Sequence, residues 1–397
     1  MDTYYRQDTN QSIYTPKFIL LCVCSLFLFA SFNMILPELP AYLTQLGGAD
    51  YKGFIIALFT VTAGLSRPFS GKLVDKIGRK PLMILGAIFS LGCALLYPLI
   101  SSVFAFFFVR LLHGFCAGTA PTATSAMLAD IIPPNKRGEA MGLLGLISNL
   151  GTAFSPVIGS EIVKAYSINA LFYTSSFLAL LAGLLFLILT ETLKVKEPFH
   201  LQHLRLTKKD VFEPDVLNPT IVMFLMTAGF GTIFTVMPDL SVHLGISNKG
   251  FPLMFYTICS LSVRVFAGKV SDKFGRITIL RYALSLQIIA LVLMGFANTP
   301  LLLYFSTSLF GFSMGFTSPT ILAWAIDLST DTNRGRAMAT VYLAMEAGIG
   351  TGALLSAWIY DNNAAMFAYT FWAAAGFAVL GLIYVSRLYR GSELVKS

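Results

Sequence analysis

The chain has 397 residues, of which 56% are hydrophobic and only 12% are charged. Because soluble domains usually contain about 25% charged residues, this composition excludes an ordinary soluble protein and indicates an integral membrane protein. The net charge of +8 does not indicate nucleic-acid binding, because the basic residues are gathered in short segments between apolar runs.

Uncharged apolar runs recur along the whole chain. The first, residues 18–37, follows a polar stretch and is long enough to cross a bilayer of about 30 Å, so it predicts a transmembrane helix rather than a cleaved signal peptide. Similar runs, with two longer ones divided at turn residues, give twelve predicted spans. The alternate loops hold only Lys52, Lys164 and Lys249, whereas the other loops and the tails hold most basic residues. The positive-inside rule therefore predicts that both termini are cytoplasmic.

One short charged segment occurs twice in the sequence. GKLVDKIGRK at residues 71–80 recurs as GKVSDKFGRI at residues 268–277, a shift of 197 residues that also superposes Arg67 on Arg264. The same shift continues through the later spans, so the sequence predicts a duplicated six-helix unit. The glycines favour tight turns against neighbouring helices, and the aspartate can accept hydrogen bonds from helix N-termini and arginine.

The duplicated loop resembles the loop between helices 2 and 3 of the major facilitator superfamily, and the resemblance extends over nearly the whole chain. It implies an all-α membrane protein of twelve transmembrane helices in two pseudo-symmetric six-helix bundles. We expect these bundles at residues 1–190 and 219–397, with a cytoplasmic linker at residues 191–218. In this family the Asp and Arg of the loop take part in cytoplasmic contacts that hold the outward-open state. The predicted gate residues are Arg67, Gly71, Asp75, Gly78 and Arg79, with Arg264, Gly268, Asp272, Gly275 and Arg276.

Ionisable residues inside spans cost about 2.5–3.5 kcal/mol, so each one is a functional candidate. Glu38, at the outer end of the first span, could take up a proton and pair with Arg110, or it could be an exposed surface carboxylate. Arg110 and His113 in the fourth span resemble the R-x-x-Q-G motif that is implicated in proton coupling in this family. The histidine stands where the motif has glutamine, so it could titrate near neutral pH or act as a neutral hydrogen-bonding substitute.

The fifth span resembles the antiporter motif of the exporting branches of the family. Gly151, Pro156 and Gly159 match that motif, whereas serine stands at two of its glycine positions. Small residues allow close helix contact and the proline bends the helix. The match favours export.

Glu346 lies in the middle of the eleventh span, between long uncharged stretches, and Asn149 is its repeat equivalent. A lone carboxylate in hydrocarbon favours its protonated form and can load or release a proton as its access to water changes. Alternatively it could be a protonated group bonded to a neighbouring helix. We take Glu346 and Glu38 as proton-carrier candidates, with Arg110 and His113 beside them.

Apolar, aromatic and methionine side chains on the predicted cavity helices suit an amphipathic organic substrate. The candidates are Asn33, Met34, Asn149, Phe230, Phe234, Tyr256, Phe312, Phe316, Trp324 and Tyr342. The sequence has no P-loop, zinc signature or nucleophile elbow, so we expect no enzyme activity, no metal and no cofactor.

These patterns predict a monomeric, proton-coupled transporter in the bacterial inner membrane, resembling the drug:proton antiporter branch. We expect it to export an amphipathic small molecule, a drug or a metabolite, by rocking its two halves around a central site. Import or facilitated passage of a polar solute, transport of a siderophore or a lipid, and sodium coupling remain alternatives. A lipid transporter would show a lateral opening between helices. The expected partners are the substrate, protons and membrane lipids, but no nucleic acid.

Overall fold

The computed structural model describes residues 13–133, 136–204, 212–330 and 333–394. These ranges contain helices and loops but no β-strand, and they form twelve long helices that we number in chain order. The helices are α1 (Pro16–Met34), α2 (Gly53–Lys76), α3 (Arg79–Leu96), α4 (Val103–Ile131), α5 (Arg137–Ala165), α6 (Ile168–Ile188), α7 (Leu217–His243), α8 (Phe251–Phe274), α9 (Arg276–Gly295), α10 (Pro300–Asp327), α11 (Arg334–Tyr360) and α12 (Phe367–Leu394). Residues 1–12, 134–135, 205–211, 331–332 and 395–397, which belong to the predicted bundles and linker, lie outside the described residues.

The described helices agree with the predicted twelve spans. Eleven of them are long and apolar enough to cross a membrane, and α8 is the twelfth when its two parts count as one span. The axis of α8 bends by 54° between Phe251–Arg264 and Phe266–Phe274. The all-helical, twelve-span fold predicted from the apolar runs is therefore confirmed.

Local sequence fixes where several helices begin. Thr15 caps α1 by accepting a hydrogen bond from the Phe18 amide, and Ser102 caps α4 in the same way. Thr299 caps α10, whose first residue is Pro300. A hydroxyl before the first turn satisfies a free backbone amide, and proline at the first position lacks an amide that would need one. These caps explain why the long apolar runs divide at these points.

The twelve helices pack as two six-helix bundles with matching internal contacts. In the first bundle α1 packs on α5, α2 on α4, and α3 on α4 and α6. The equivalent pairs α7 with α11, α8 with α10, and α9 with α10 and α12 form the second bundle. Contacts between the bundles concentrate where α2 meets α11 and where α5 meets α8. These two contacts are pseudo-equivalent, as the repeat predicts.

Glycines of the repeat explain how closely paired helices approach. Gly118 of α4 lies against the Ala63 carbonyl of α2, where an added Cβ would come within 2.7 Å of that oxygen. Gly315 is its equivalent in α10, and a Cβ added there would come within 2.5 Å of the Ser260 carbonyl oxygen of α8. A larger residue at either position would push the helices apart, because such contacts leave no room for a side chain.

The molecule has two ends, which we name by what they carry. At the linker face α1 begins, α12 ends and the segment between α6 and α7 crosses from one bundle to the other. This segment is tied to the first bundle by the Glu197 amide, which donates to the Lys76 carbonyl at 2.8 Å. It is tied to the second bundle by Arg336, whose guanidinium donates to Glu213. The opposite end, where α2 and α8 begin, is the far face.

Candidate functional site

A cleft of about 790 Å³ opens at the linker face between α2, α4 and α11. Its walls mix charged, small and apolar side chains, and the two bundles supply opposite sides of it. The residues that matter below are Arg67, Gly71 and Asp75 of α2 and Arg336 and Tyr342 of α11. The cleft therefore lies between the two bundles.

An ion pair joins the bundles at the inner end of this cleft. Arg67 donates from Nη2 to Oε1 of Glu346 at 2.8 Å and from Nε to the same oxygen at 3.3 Å. The Arg67 side chain is 22% exposed and that of Glu346 is 8% exposed. The guanidinium also lies 5.1 Å from the centre of the Tyr342 ring. Removing one partner of a buried ion pair leaves the other charge buried without compensation, which destabilises the structure by about 3–5 kcal/mol.

The pair unites residues that the sequence suggested for different tasks. Glu346 is one of the two predicted proton carriers, and Arg67 is a predicted gate residue. The Arg67 side chain is directed toward the other bundle, where it pairs with the Glu346 carboxylate. Beyond this pair, α2 and α11 stay in contact toward the far face, with Gly64 against Glu346 and Gly350 against Thr60.

Two further ion pairs join the bundles at the far face. Lys249 of the second bundle donates to Glu38 of the first at 2.7 Å, and Ser160 donates to the other oxygen of the same carboxylate at 2.8 Å. Lys52 of the first bundle donates to Asp239 of the second at 2.5 Å. The Glu38 side chain is 6% exposed and that of Lys52 is 10% exposed. The possible pairing of Glu38 with Arg110 is not what the structure holds.

These far-face ion pairs are related by the internal repeat. Lys52 and Lys249 lie 197 residues apart. Glu38 and Asp239 correspond at a slightly larger shift of 201 residues, which superposes Pro37-Glu38-Leu39 on Pro238-Asp239-Leu240. Each lysine is followed by a glycine that touches the other bundle. A Cβ at Gly53 would come within 2.7 Å of the Ala353 carbonyl of α11. The equivalent contact sets Gly250 against the backbone of α5.

Sequence reasoning missed this arrangement, although the signal was present. The 197-residue shift that aligns the charged loops also aligns the Lys-Gly dipeptides at residues 52–53 and 249–250. Two more polar contacts strengthen the same closure. Asn248 donates to Glu161 at 2.8 Å, and Asn362 donates to the Ala49 carbonyl at 3.1 Å. The structure is thus closed at the far face and open at the linker face.

Arg110 and His113 are completely buried in the first bundle. Arg110 donates to the Ile55 carbonyl of α2 at 2.8 Å and to the Tyr97 hydroxyl at 3.4 Å, and it lies 4.7 Å from the Phe59 ring centre. Among the described residues, neither nitrogen of His113 has a hydrogen-bond partner. Both side chains therefore hold the far half of α2 against α4 and do not line the cleft in this state.

Both copies of the charged loop bond within their own bundle. Arg79 pairs with Asp130 at 2.9 Å and with Asp75 at 3.5 Å. In the second copy Arg276 pairs with Asp327 at 2.9 Å and with Asp272 at 2.5 Å. Asp75 is 74% exposed at the mouth of the cleft. Gly71 and Gly268 have open space around the position of a Cβ.

Gly78 has a requirement that its equivalent lacks. Its φ of +124° suits glycine, and a Cβ there would collide with the Glu191 carboxylate. That carboxylate accepts hydrogen bonds from the Arg79 and Lys80 amides at 3.1 Å each, so it caps the start of α3. Gly275 also has a positive φ, +85°, but no group lies closer than 3.9 Å to its Cβ position.

The motif of the fifth span packs helices together. A Cβ at Gly151 would come within 2.7 Å of the Leu26 carbonyl of α1, and Gly159 lies against the Met34 carbonyl of the same helix. Pro156 instead contacts Gly250 of the other bundle. The motif therefore serves both the packing of α5 on α1 and the closure of the far face.

The predicted substrate residues fall into separate groups. Phe230, Phe234 and Tyr256 form an aromatic cluster, with ring centres 4.4 Å and 5.6 Å from that of Phe230. Tyr342 lines the cleft beside Arg67. The others are placed as follows: Met34 buried, Asn33 bonded to Thr152, Asn149 bonded to the Gly145 carbonyl, and Phe312, Phe316 and Trp324 half-buried. In the described part of the chain, no three His, Cys, Asp or Glu residues form a cluster able to hold a metal ion.

Comparison with known proteins agrees with this architecture. A family model described as Major Facilitator Superfamily matches residues 21–292 and, in a second match, residues 219–396. The multidrug resistance protein MdtG of Salmonella arizonae is 26% identical over 369 residues, which cover 89% of this chain and 91% of that protein. Among solved structures, the human organic anion transporter MFSD10 (TETRAN) gives a TM-score of 0.71 at 19% identity, covering 94% of this chain and all of that one. The structure of the peptide transporter POT in complex with sulfate gives a TM-score of 0.76 at 14% identity, covering 94% of this chain and 95% of that one.

Proposed function

Because the chain belongs to the major facilitator superfamily of membrane transporters, we propose that it exports an amphipathic small molecule in exchange for protons by alternating access. The observation that carries this proposal is the Arg67–Glu346 ion pair, which joins the two bundles at the inner end of the open cleft. The name of the multidrug resistance relative supports export of drug-like compounds.

The basic residues orient the proposal in the membrane. Lys72, Lys76, Arg79 and Lys80 gather at the linker face, whereas the far face holds few lysines and no cluster of them in the sequence. By the positive-inside rule we take the linker face as cytoplasmic, in the inner membrane. The structure then corresponds to an inward-open state that loads substrate from the cell.

Export requires the far face to open and the linker face to close. Opening would break the pairs Glu38–Lys249 and Lys52–Asp239 and separate Gly53 and Gly250 from the opposite bundle. Closing would bring the two charged loops toward the opposite bundle, where the exposed Asp75 is available for a new contact. The two bundles rock as units, since each has its own close glycine contacts.

Proton coupling follows from the charge state of Glu346. As a carboxylate it pairs with Arg67 and holds the inward-open arrangement; as a neutral acid it loses that attraction and releases α2 from α11. A proton taken up on the outer side and released into the cleft would therefore be tied to the rocking motion. Glu38 serves as a second carrier at the far face. Arg110 fixes, through the Ile55 carbonyl, the end of α2 that follows Lys52, and so supports the neighbouring Lys52–Asp239 pair.

The proposed substrate class rests on two groups of side chains, an aromatic cluster within the second bundle and the walls of the cleft. The aromatic cluster around Phe230 and the Tyr342 ring offer apolar surface, and the cleft mouth offers charges of both signs. Such a site favours molecules with one apolar and one polar part over sugars, whose many hydroxyls need many polar partners.

The test uses purified protein in liposomes with a pH-sensitive dye inside. Substrates from a panel of lipophilic cations, neutral drugs, metallophores and sugars are added to wild type, Glu346→Gln and Asp215→Asn. Asp215 is an exposed carboxylate in the short segment before α7, so its variant controls for loss of a negative charge. We expect substrate-driven proton movement in wild type and in Asp215→Asn, and at least a tenfold loss in Glu346→Gln. Undiminished proton movement in Glu346→Gln would overturn the proposed coupling.

A further inference from the structure

A second cleft, of about 530 Å³, lies between α5 and α8 beside the start of α1. Its walls are mainly apolar, with Leu143, Leu146 and Leu261 among them. Two charged side chains border it, Glu139 at the start of α5 and Arg264 at the bend of α8. This cleft is not part of the site described above.

The second cleft is the pseudo-symmetric counterpart of the first. Arg264 lies 197 residues after Arg67, and Met338 of the first cleft lies 197 residues after Met141 of the second. The residue equivalent to Glu346 is Asn149, a neutral amide. One cleft thus contains an arginine with its carboxylate partner, and the other contains the arginine alone.

The guanidinium of Arg264 has no internal counter-charge. Within the described ranges it makes no ion pair and no hydrogen bond, and Glu139 does not reach it as a salt-bridge partner. The amide of Asn149 is already engaged, because its Nδ2 donates to the Gly145 carbonyl at 2.7 Å. Arg264 is exposed to the cleft rather than buried in packing. An arginine within a span normally pairs with an acid, since an isolated charge there is costly.

We propose that the second cleft binds the acidic group of an amphipathic organic anion, with Arg264 as its partner. A carboxylate, phosphate or sulfonate accepts two parallel hydrogen bonds from a guanidinium, which makes arginine a strong site for such groups. The apolar part of the molecule lies along Leu143, Leu146 and Leu261. This inference rests on the proposed function in one respect: the anion is a transported molecule that enters through the cleft.

Binding is tested separately from transport, so that failure of one does not imply failure of the other. Purified protein in nanodiscs of phosphatidylcholine is titrated with radiolabelled decanoate and, in parallel, with decyltrimethylammonium, a cation of the same chain length. The variants are Arg264→Gln, Arg264→Lys and Lys269→Gln. Lys269 is an exposed basic residue of the same helix outside the cleft, so its variant is the matched control.

We expect Arg264→Gln to weaken decanoate binding at least tenfold, Arg264→Lys to keep part of it, and Lys269→Gln to leave it unchanged. The cation should bind all variants alike. A further variant, Asn149→Glu, supplies the internal acid that Glu346 supplies in the other bundle. It should abolish decanoate binding while the protein remains folded, as shown by an unchanged elution profile.

Equal decanoate affinity in wild type and Arg264→Gln would overturn the proposal. The source of the anion is decided by repeating the titration in nanodiscs that contain phosphatidylglycerol. If this anionic lipid leaves decanoate binding in place, the cleft binds a free organic anion rather than a lipid head group, as the proposal requires. If the lipid displaces decanoate, the cleft holds a lipid head group and the proposal of a transported anion is wrong.

Discussion

Removing the charge of Lys52 should weaken the closure of the far face. The side chains of Lys52 and Asp239 are 10% and 19% exposed, so this ion pair is intermediate between a fully exposed pair and a fully buried one. An exposed pair contributes about 0–1 kcal/mol, and breaking a buried one costs about 3–5 kcal/mol. We therefore expect Lys52→Gln to destabilise the state closed at the far face by about 1–3 kcal/mol relative to the open one. This corresponds to a ~5–150-fold change in their ratio.

The population change can be measured as a distance distribution. Spin labels are attached at Tyr166→Cys and Asn298→Cys, two exposed far-face positions in different bundles, after replacement of the five native cysteines. Double electron–electron resonance should show mainly short distances in the parent protein. Lys52→Gln should add a population at longer distances, because the far ends of the bundles separate when this face opens.

Lys164→Gln is the matched control for this experiment. Lys164 is also a far-face lysine, but it pairs at 3.6 Å with Glu161 of its own helix, and its replacement leaves the Glu161 carboxylate in place to accept from Asn248 across the bundles. The double variant Lys52→Gln/Asp239→Asn should shift the distribution no further than the larger single effect, since both changes remove one interaction. An unchanged distribution in Lys52→Gln, or an equal change in Lys164→Gln, would refute the role of this ion pair.

Three further outcomes are expected. Gly78→Ala should lower the midpoint of thermal unfolding more than Gly275→Ala, because both need a positive φ but only Gly78 lies against the Glu191 carboxylate; equal losses would contradict this. Gly53→Val should prevent contact with Ala353 and lengthen far-face distances in the same resonance assay, and a wild-type distribution would contradict it. Burial raises the pKa of Glu191, but the hydrogen bonds from four backbone amides together lower it by more than burial raises it. The net pKa of Glu191 is therefore below the usual carboxyl range. Because the folded-state pKa is depressed, the stabilisation is present at neutral pH and lost on acidification, and the acid-induced fall in thermal stability should be smaller in Glu191→Gln.

The repeat made the fold and several contacts predictable. One shift of 197 residues aligns the charged loops, the helix-contact glycines Gly118 and Gly315, and the Lys-Gly dipeptides. Helix periodicity and composition suffice for this, because each bundle depends on contacts within a single repeat. The twelve-span architecture followed from the same patterns.

Partners across the bundles could not be assigned in the same way. The sequence indicated that Glu38 and Glu346 were unusual, but not that they would meet Lys249 and Arg67. These ion pairs depend on how one bundle is oriented relative to the other, and no sequence pattern within a single repeat determines that orientation. Arg67 is the clearest case, because the carboxylate that it pairs with lies 279 residues away and in the other bundle.

The far-face closure has the form of a self-complementary surface. Each half contributes one acid, one lysine and one glycine. The lysine of each half pairs with the acid of the other half, as in a two-fold dimer of identical chains. A free six-helix subunit carrying only Glu38, Lys52 and Gly53 would possess everything needed to close this end against a copy of itself. It could not form the Arg67–Glu346 pair, because Asn149 stands at that position in the first half. Because both halves belong to one chain, they can differ at this single position, so the carboxylate is present in only one of the two bundles, whereas a homodimer would carry it in both or in neither.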